Sequence, residues 1–249
     1  MIALSEKIPQ LVVQYGCKIP LRTELKRTER ESLKTFLQDF DQEQFQIFPN
    51  DPQNAPSQSP GLFTVLRQYS MKGGAIATAP SLVIASDSIT VFSLVKAGEE
   101  NYFTSSRTIP VAEQDRKMKE ILIGIQGVIK GLRYTRTGKI YELVVGPFPP
   151  AEKEPFLRKV IAAPSNDIAQ VNLVLTKIQS VAGRINLLNV NTQLGLQQMR
   201  LEDPFQVNIK IDINNRDLQT SMGAPEIEFV WKSADSMIES HLENLLSAG

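Results

Sequence analysis

The stretch FQVNIKIDI, residues 205–213, alternates apolar and polar side chains without a break. Its apolar positions are Phe205, Val207, Ile209, Ile211 and Ile213. Because successive side chains of a β-strand point to opposite faces, these five residues share one face and the polar residues share the other. The pattern therefore predicts a strand in a sheet that has one buried face and one accessible face.

Further strands are predicted on both sides of this stretch. Ile168 to Ile178 and Ile185 to Leu196 precede it, and both are rich in β-branched residues or in alternating apolar positions. Glu226 to Trp231 is predicted to form one more short strand. Ser233 then has the side chain of a helix N-cap, which predicts a final helix from this residue onward.

The first part of the chain shows a similar order of elements. Ile8 to Ile19 predicts a strand, and Glu24 to Phe40 has the apolar spacing of an amphipathic helix. Three strand-like runs follow between Leu62 and Val95, with a break after Ala79 and a turn at residues 86–88. A second helix is predicted after Pro110 and ends at Gly131. Leu132 to Val145 predicts either a hairpin or one long bent strand.

This order of elements predicts an α+β fold built from two similar halves. Each half would be a mostly antiparallel curved sheet with its helices packed on one face. We expect residues 1–130 to form the first half and residues 131–249 to form the second. The two halves are expected to pack together as one globular unit.

Charge and hydropathy limit the classes of partner. Lysine and arginine number 27, and aspartate and glutamate also number 27, so any binding to nucleic acid would need a local patch. The first residues lack the features of a signal peptide, and the uncharged runs, such as residues 73–86, are too short to span a bilayer. We therefore expect a cytoplasmic protein that does not bind membranes.

Residue types that support catalysis are scarce. The chain has one cysteine, Cys17, and one histidine, His241, so it lacks both an internal disulfide and the ligand spacing of a zinc site. Gly73-Gly74 lacks the lysine and hydroxyl residues of a phosphate-binding loop. We predict no catalytic residue, no cofactor and no metal ion, and we expect Cys17 to be a small buried residue.

Charge is unevenly distributed along the chain. Residues 107–139 contain eight basic residues and three acidic ones, whereas residues 201–249 contain nine acidic residues and three basic ones. One interpretation is that these segments attract each other across halves or subunits. The other is a surface patch that contacts nucleic acid or a protein partner. Its residues would be Arg133, Tyr134, Arg136 and Lys139.

Gly131-Leu132-Arg133-Tyr134 resembles a GLRY stretch near mid-chain in a sporadically distributed prokaryotic family of uncharacterised proteins of about this length. Two further features are similar to that family. They are a Pro-containing strand near the N-terminus, here Pro9 to Ile19, and an Ile-Asp-Ile strand, here residues 211–213, followed by a terminal helix. The resemblance covers nearly the whole chain and implies no activity.

These observations favour a non-enzymatic interaction or accessory protein. The separated charges predict self-association, so the expected partner is a second copy of the chain or another protein. The alternative is a nucleic-acid-binding module that uses the basic segment at residues 130–141. A metal-dependent hydrolase built on scattered carboxylates is the third hypothesis, and the sequence supports it least.

Overall fold

The structure is a computed structural model of the chain. It describes residues 10–40, 62–70, 76–97, 111–158, 170–180, 187–198, 200, 202–219 and 221–246. The strands are β1 (Gln10–Lys18), β2 (Phe63–Ser70), β3 (Ile76–Ile84), β4 (Ser88–Ala97), β5 (Arg136–Phe148), β6 (Gln170–Ser180), β7 (Leu187–Gln197) and β8 (Phe205–Asn215). The helices are α1 (Arg27–Phe40), α2 (Val111–Val128), α3 (Lys153–Arg158) and α4 (Ala224–Leu246).

The eight strands form one sheet in the order β2-β3-β4-β1-β5-β8-β7-β6, and every neighbouring pair is antiparallel. The predicted α+β class is confirmed, but the prediction of two similar halves, each with its own sheet, is wrong. Strand β1 pairs with β5 along its whole length, from Gln10 opposite Val144 to Lys18 opposite Arg136. This pairing buries two edges that separate sheets would expose. The domain boundary at residue 130 stays a prediction.

Strand β8 has the two faces that its alternation predicts. Phe205, Val207, Ile209, Ile211 and Ile213 are buried, and the residues between them are accessible or partly accessible. The same alternation continues across β5, β1 and β7. The sheet therefore has a covered face, which contributes the core, and a second face on which none of the described helices lies, here called the helix-free face.

The helices lie on the covered face. Helix α4 packs on β5 and β8, α2 packs on β4 and α4, and α1 packs on α2. The core side chains of α2 include Met118, Ile121, Leu122 and Ile125, all of which are fully buried. Their spacing of three and four residues places them on one side of the helix, as the sequence predicted.

Helix α4 begins nine residues earlier than predicted, because the short strand proposed at Glu226 to Trp231 is its first part. The Glu226 carboxylate accepts a hydrogen bond from the Gly223 N–H at 3.0 Å. This contact caps the helix at Gly223, nearly three turns before Ser233. Ser233 therefore lies inside the helix, and its prediction as an N-cap is wrong.

One further expectation differs from the structure: strand β3 continues through Pro80, where a break was expected. Of the two alternatives for Leu132 to Val145, the structure shows one strand, which begins at Arg136 and ends at Phe148. Lys72-Gly73-Gly74, whose two glycines favour a hairpin turn between two of the strand-like runs, lies outside the described residues. No helix in the described part of the chain has the length and apolar content needed to cross a membrane.

Candidate functional site

The four residues of the predicted contact patch lie in different surroundings. Arg133 is exposed, and Arg136 is partly exposed and donates a hydrogen bond to the backbone oxygen of Arg216. Tyr134 and Lys139 are fully buried. The Tyr134 hydroxyl donates a hydrogen bond to the Leu122 carbonyl at 2.5 Å. Tyr134 and Lys139 therefore cannot reach a partner on the surface, and a contact by the two arginines stays a prediction.

Lys139 lies on the covered face of β5, at the centre of a polar cluster. Its ammonium group donates hydrogen bonds to both carboxylate oxygens of Asp115, at 2.8 and 2.9 Å, and to Asp235 at 2.6 Å. The Tyr15 hydroxyl donates to Asp115 at 2.8 Å, and the Tyr141 hydroxyl donates to Asp235 at 2.7 Å. Strands β1 and β5 and helices α2 and α4 each contribute at least one of these residues.

Burial dominates the electrostatics of this cluster. It raises the pKa of Asp115 from its ordinary value of 3.8 to about 6, although the Lys139 charge opposes the shift. The neighbouring Asp235 carboxylate adds to the rise. Burial is also the main reason why the pKa values of Tyr15 and Tyr141 lie well above the ordinary value of 10. Both phenols therefore stay protonated and act as hydrogen-bond donors.

The geometry of the cluster suits a structural role. Three N–H groups of an ammonium ion can each donate one hydrogen bond, and the Lys139 ammonium makes three. With no exposed surface and no spare donor, Lys139 is poorly placed to act on a substrate. The cluster instead ties helices α2 and α4 to the middle of the sheet.

The cluster also joins the basic segment of the sequence to the acidic one. Lys139 and Lys119 belong to the basic segment, and they contact Asp235 and Glu228 of the acidic segment within the same chain. The Lys119–Glu228 distance is 2.6 Å. These two ion pairs neutralise part of the opposite charge of the two segments within one molecule. Less unpaired charge is therefore left for a contact between molecules.

A second buried network lies beside Lys139 and involves the only cysteine. The Thr137 hydroxyl accepts a hydrogen bond from the Trp231 indole N–H at 3.0 Å and donates one to the Gly16 carbonyl at 3.0 Å. The Cys17 thiol is 3.3 Å from the same hydroxyl oxygen. Burial raises the pKa of Cys17 to about 12, so the thiol stays protonated and unreactive. The prediction that Cys17 is a small buried residue is confirmed.

The helix-free face of the sheet holds a concavity of about 550 Å³. All of its lining residues belong to strands β1, β5, β6, β7 and β8. The side chains that alternate onto this face are of three kinds: the carboxamides Asn172, Gln193 and Asn208, the valines Val12, Val144 and Val174, and the pair Glu142 and Lys210. Gly195 also lines the concavity and adds no side chain to it.

The concavity carries little net charge. The Lys210 ammonium lies 2.8 Å from the Glu142 carboxylate, and both side chains are about two-fifths exposed. Each carboxamide can both donate and accept hydrogen bonds. The described residues of the lining include no aromatic side chain. This combination can bind a neutral polar group better than it can bind a phosphate.

Metal chemistry finds no support in the described residues. Within these residues, no three side chains of histidine, cysteine, aspartate or glutamate lie close enough together to hold a metal ion. The hydrolase hypothesis stays an untested alternative.

The buried polar cluster around Lys139 and the concavity were not predicted, although the sequence contains patterns that indicate both. Lys139 interrupts the otherwise uncharged inward row of β5, and Asp115 precedes Met118 by three residues on the apolar face of α2. A charge in an apolar row indicates a buried partner of opposite sign. The concavity had a weaker signal, because the polar residues of β7 and β8 alternate regularly but their neighbours across strands could not be known.

No family model, no curated protein and no solved structure matches this chain, so its resemblance to the GLRY family stays a prediction.

Proposed function

We propose that the protein is a non-enzymatic interaction protein whose concavity binds an extended segment of another protein. The observation that carries this proposal is the combination of three carboxamides, three valines and one neutralised ion pair on an open strand surface. The cytoplasmic location expected from the sequence stays a prediction.

The openness of the concavity favours a macromolecule over a small ligand. Small-molecule sites usually enclose most of the ligand surface. Here the lining comes from strands alone, so a small molecule would contact the floor and stay exposed above it. A polypeptide segment can span the floor and bury a larger contact area.

The chemistry of the lining favours a polypeptide over nucleic acid. A peptide group presents one N–H and one carbonyl, and the amide of Asn172, Gln193 or Asn208 can pair with both. The valines would pack against apolar side chains of the same segment. Phosphate binding requires unpaired cations, and base binding commonly uses aromatic stacking. Among the described lining residues, the one lysine is paired with Glu142 and none is aromatic.

Two glycines provide a matched test of this site. Gly195 lines the concavity, whereas Gly16 lies on the helix-free face of β1 outside it. An added Cβ at Gly195 would lie 3.5 Å from the nearest atom, and at Gly16 it would have no atom within 4 Å. Both positions therefore accept a side chain, and only Gly195→Phe would fill the concavity.

The experiment is a selection of random linear peptides on the immobilised protein, followed by titration of the enriched peptides by fluorescence anisotropy. We expect binding to the wild-type protein and to the Gly16→Phe variant, and at least a tenfold weaker affinity for Gly195→Phe, about 1.4 kcal/mol. Labelled single- and double-stranded oligonucleotides at low salt are the comparison. Oligonucleotide binding without peptide binding would reject the proposal. So would a peptide affinity that is the same for the wild-type protein and the Gly195→Phe variant.

A further inference from the structure

Strand β6 is the last strand of the sheet, and no described strand pairs with its outer side. Large apolar side chains are exposed along it: Val174 to 66%, Leu175 to 48% and Ile178 to 49%. Its only charged residue is Lys177. An edge strand presents a row of unpaired backbone donors and acceptors, and natural proteins usually protect such an edge with charges, prolines or a covering element. A long apolar edge therefore indicates a contact with another strand.

We propose that two copies of the chain pair through β6, antiparallel and with Thr176 opposite Thr176. The partner strand is then the same strand of a second copy, related by a twofold axis. The two sheets would join into one continuous sheet. The inference uses the outer edge of β6. Val174 also lines the concavity, but the pairing of the two edges does not depend on the proposed function of the concavity.

The side chains of β6 complement themselves in this register. Val174 of one copy lies opposite Ile178 of the other, and this apolar pair forms twice because of the symmetry. Thr176 faces its own copy, and Thr–Thr pairs are favourable across antiparallel strands. On the other side of the strand, Lys177 faces Leu175, so the alkyl stem of the lysine packs on the leucine while its ammonium group reaches water.

Neighbouring registers lack this complementarity. Opposite residues of an antiparallel pair point to the same face of the sheet. Alternative registers must therefore also place residues of the same face of β6 opposite each other. Centring the pair on Lys177 would place two ammonium groups directly opposite each other, which is destabilising. Centring it on Leu175 would place Ile178 opposite Asn172 and Val174 opposite Thr176. Charge and apolar matching therefore select the register centred on Thr176.

A charge-swap experiment tests both the edge and the register. The measurement is the mass in solution by sedimentation equilibrium over a range of micromolar concentrations. We expect a dimer for the wild-type protein and a monomer for the single variants Val174→Glu and Ile178→Lys, since each places charges at the apolar pairs. The double variant V174E/I178K should recover the dimer, because the introduced opposite charges then face each other across the axis.

Two controls separate this inference from the proposed function and from misfolding. Leu21→Lys replaces another exposed apolar side chain, 77% accessible, away from β6, and should leave the dimer intact. Gly195→Phe should also leave it intact. Circular dichroism should show the same unfolding transition for the two single variants when each is monomeric. A monomeric wild-type protein, a dimer unaffected by the single variants, or a double variant that stays monomeric would overturn the proposal.

Discussion

Lys139 and Lys119 of the basic segment both contact carboxylates of helix α4, and these two ion pairs lie in different surroundings. The Lys139 ammonium is fully buried between Asp115 and Asp235. The Lys119 ammonium contacts Glu228 near the surface, where the glutamate side chain is 40% exposed and also contacts Lys232. Both contacts pair a lysine with a carboxylate at short distance. They differ in how far the charged groups are exposed to water.

The two carboxylates respond to lysine in opposite directions. The pKa of Asp115 rises to about 6, because the loss of water outweighs the attraction of Lys139. The pKa of Glu228 falls from 4.5 to about 2, mainly because Lys119 and then Lys232 donate hydrogen bonds to a carboxylate that keeps its hydration. The comparison teaches that burial, rather than the presence of a lysine, decides the sign of the shift.

The largest expected effect comes from removing the buried lysine. Lys139→Met leaves two carboxylates without their shared cation, and breaking a buried pair in this way costs about 3 kcal/mol of unfolding free energy. Lys119→Met is the matched variant at the surface, and we expect a much smaller loss. Urea unfolding midpoints measure both. Equal losses for the two variants would show that burial does not distinguish the contacts.

A pH series on Asp115→Asn sharpens the comparison. The folded-state pKa of Asp115 is raised, so its protonation stabilises the fold below 3.8, and this contribution disappears as the pH rises through about 6. The unfolding free energy of the wild-type protein, relative to Asp115→Asn, should therefore increase as the pH falls from about 6 to 3.8. A difference that stays flat across this window would contradict the raised pKa.

The smallest expected effect belongs to the surface carboxylate and has the opposite sign. The lowered pKa of Glu228 means that its ionised form stabilises the fold above 4.5, and this stability is lost as the pH falls towards about 2. Relative to Glu228→Gln, the wild-type protein should lose stability over that range. Added salt should reduce the difference, because the pair is exposed to solvent. Urea titrations at several pH values would reveal a wrong sign.

The sequence predicted most elements but not how they pair. The alternation in β8 and the spacing in α1 and α2 identified these elements, since each pattern depends only on neighbouring residues. The first part of helix α4, Glu226 to Trp231, was predicted as a strand, because this segment is too short to distinguish the side-chain period of a helix from that of a strand. Ile227, Val230, Trp231 and Ala234 are buried at helical spacing, so a longer window would have corrected the error.

The sequence alone determined the α+β class, the single buried cysteine and the two faces of β8, because composition and local periodicity carry that information. Only the tertiary structure decided that β1 pairs with β5, that Lys139 is buried, and that Asp115 and Asp235 reach it. The residues of that cluster are separated by 24 and 96 positions in the chain. Local sequence patterns do not identify such distant neighbours, whereas folding brings them together and removes water around them, and this burial raises the pKa of Asp115.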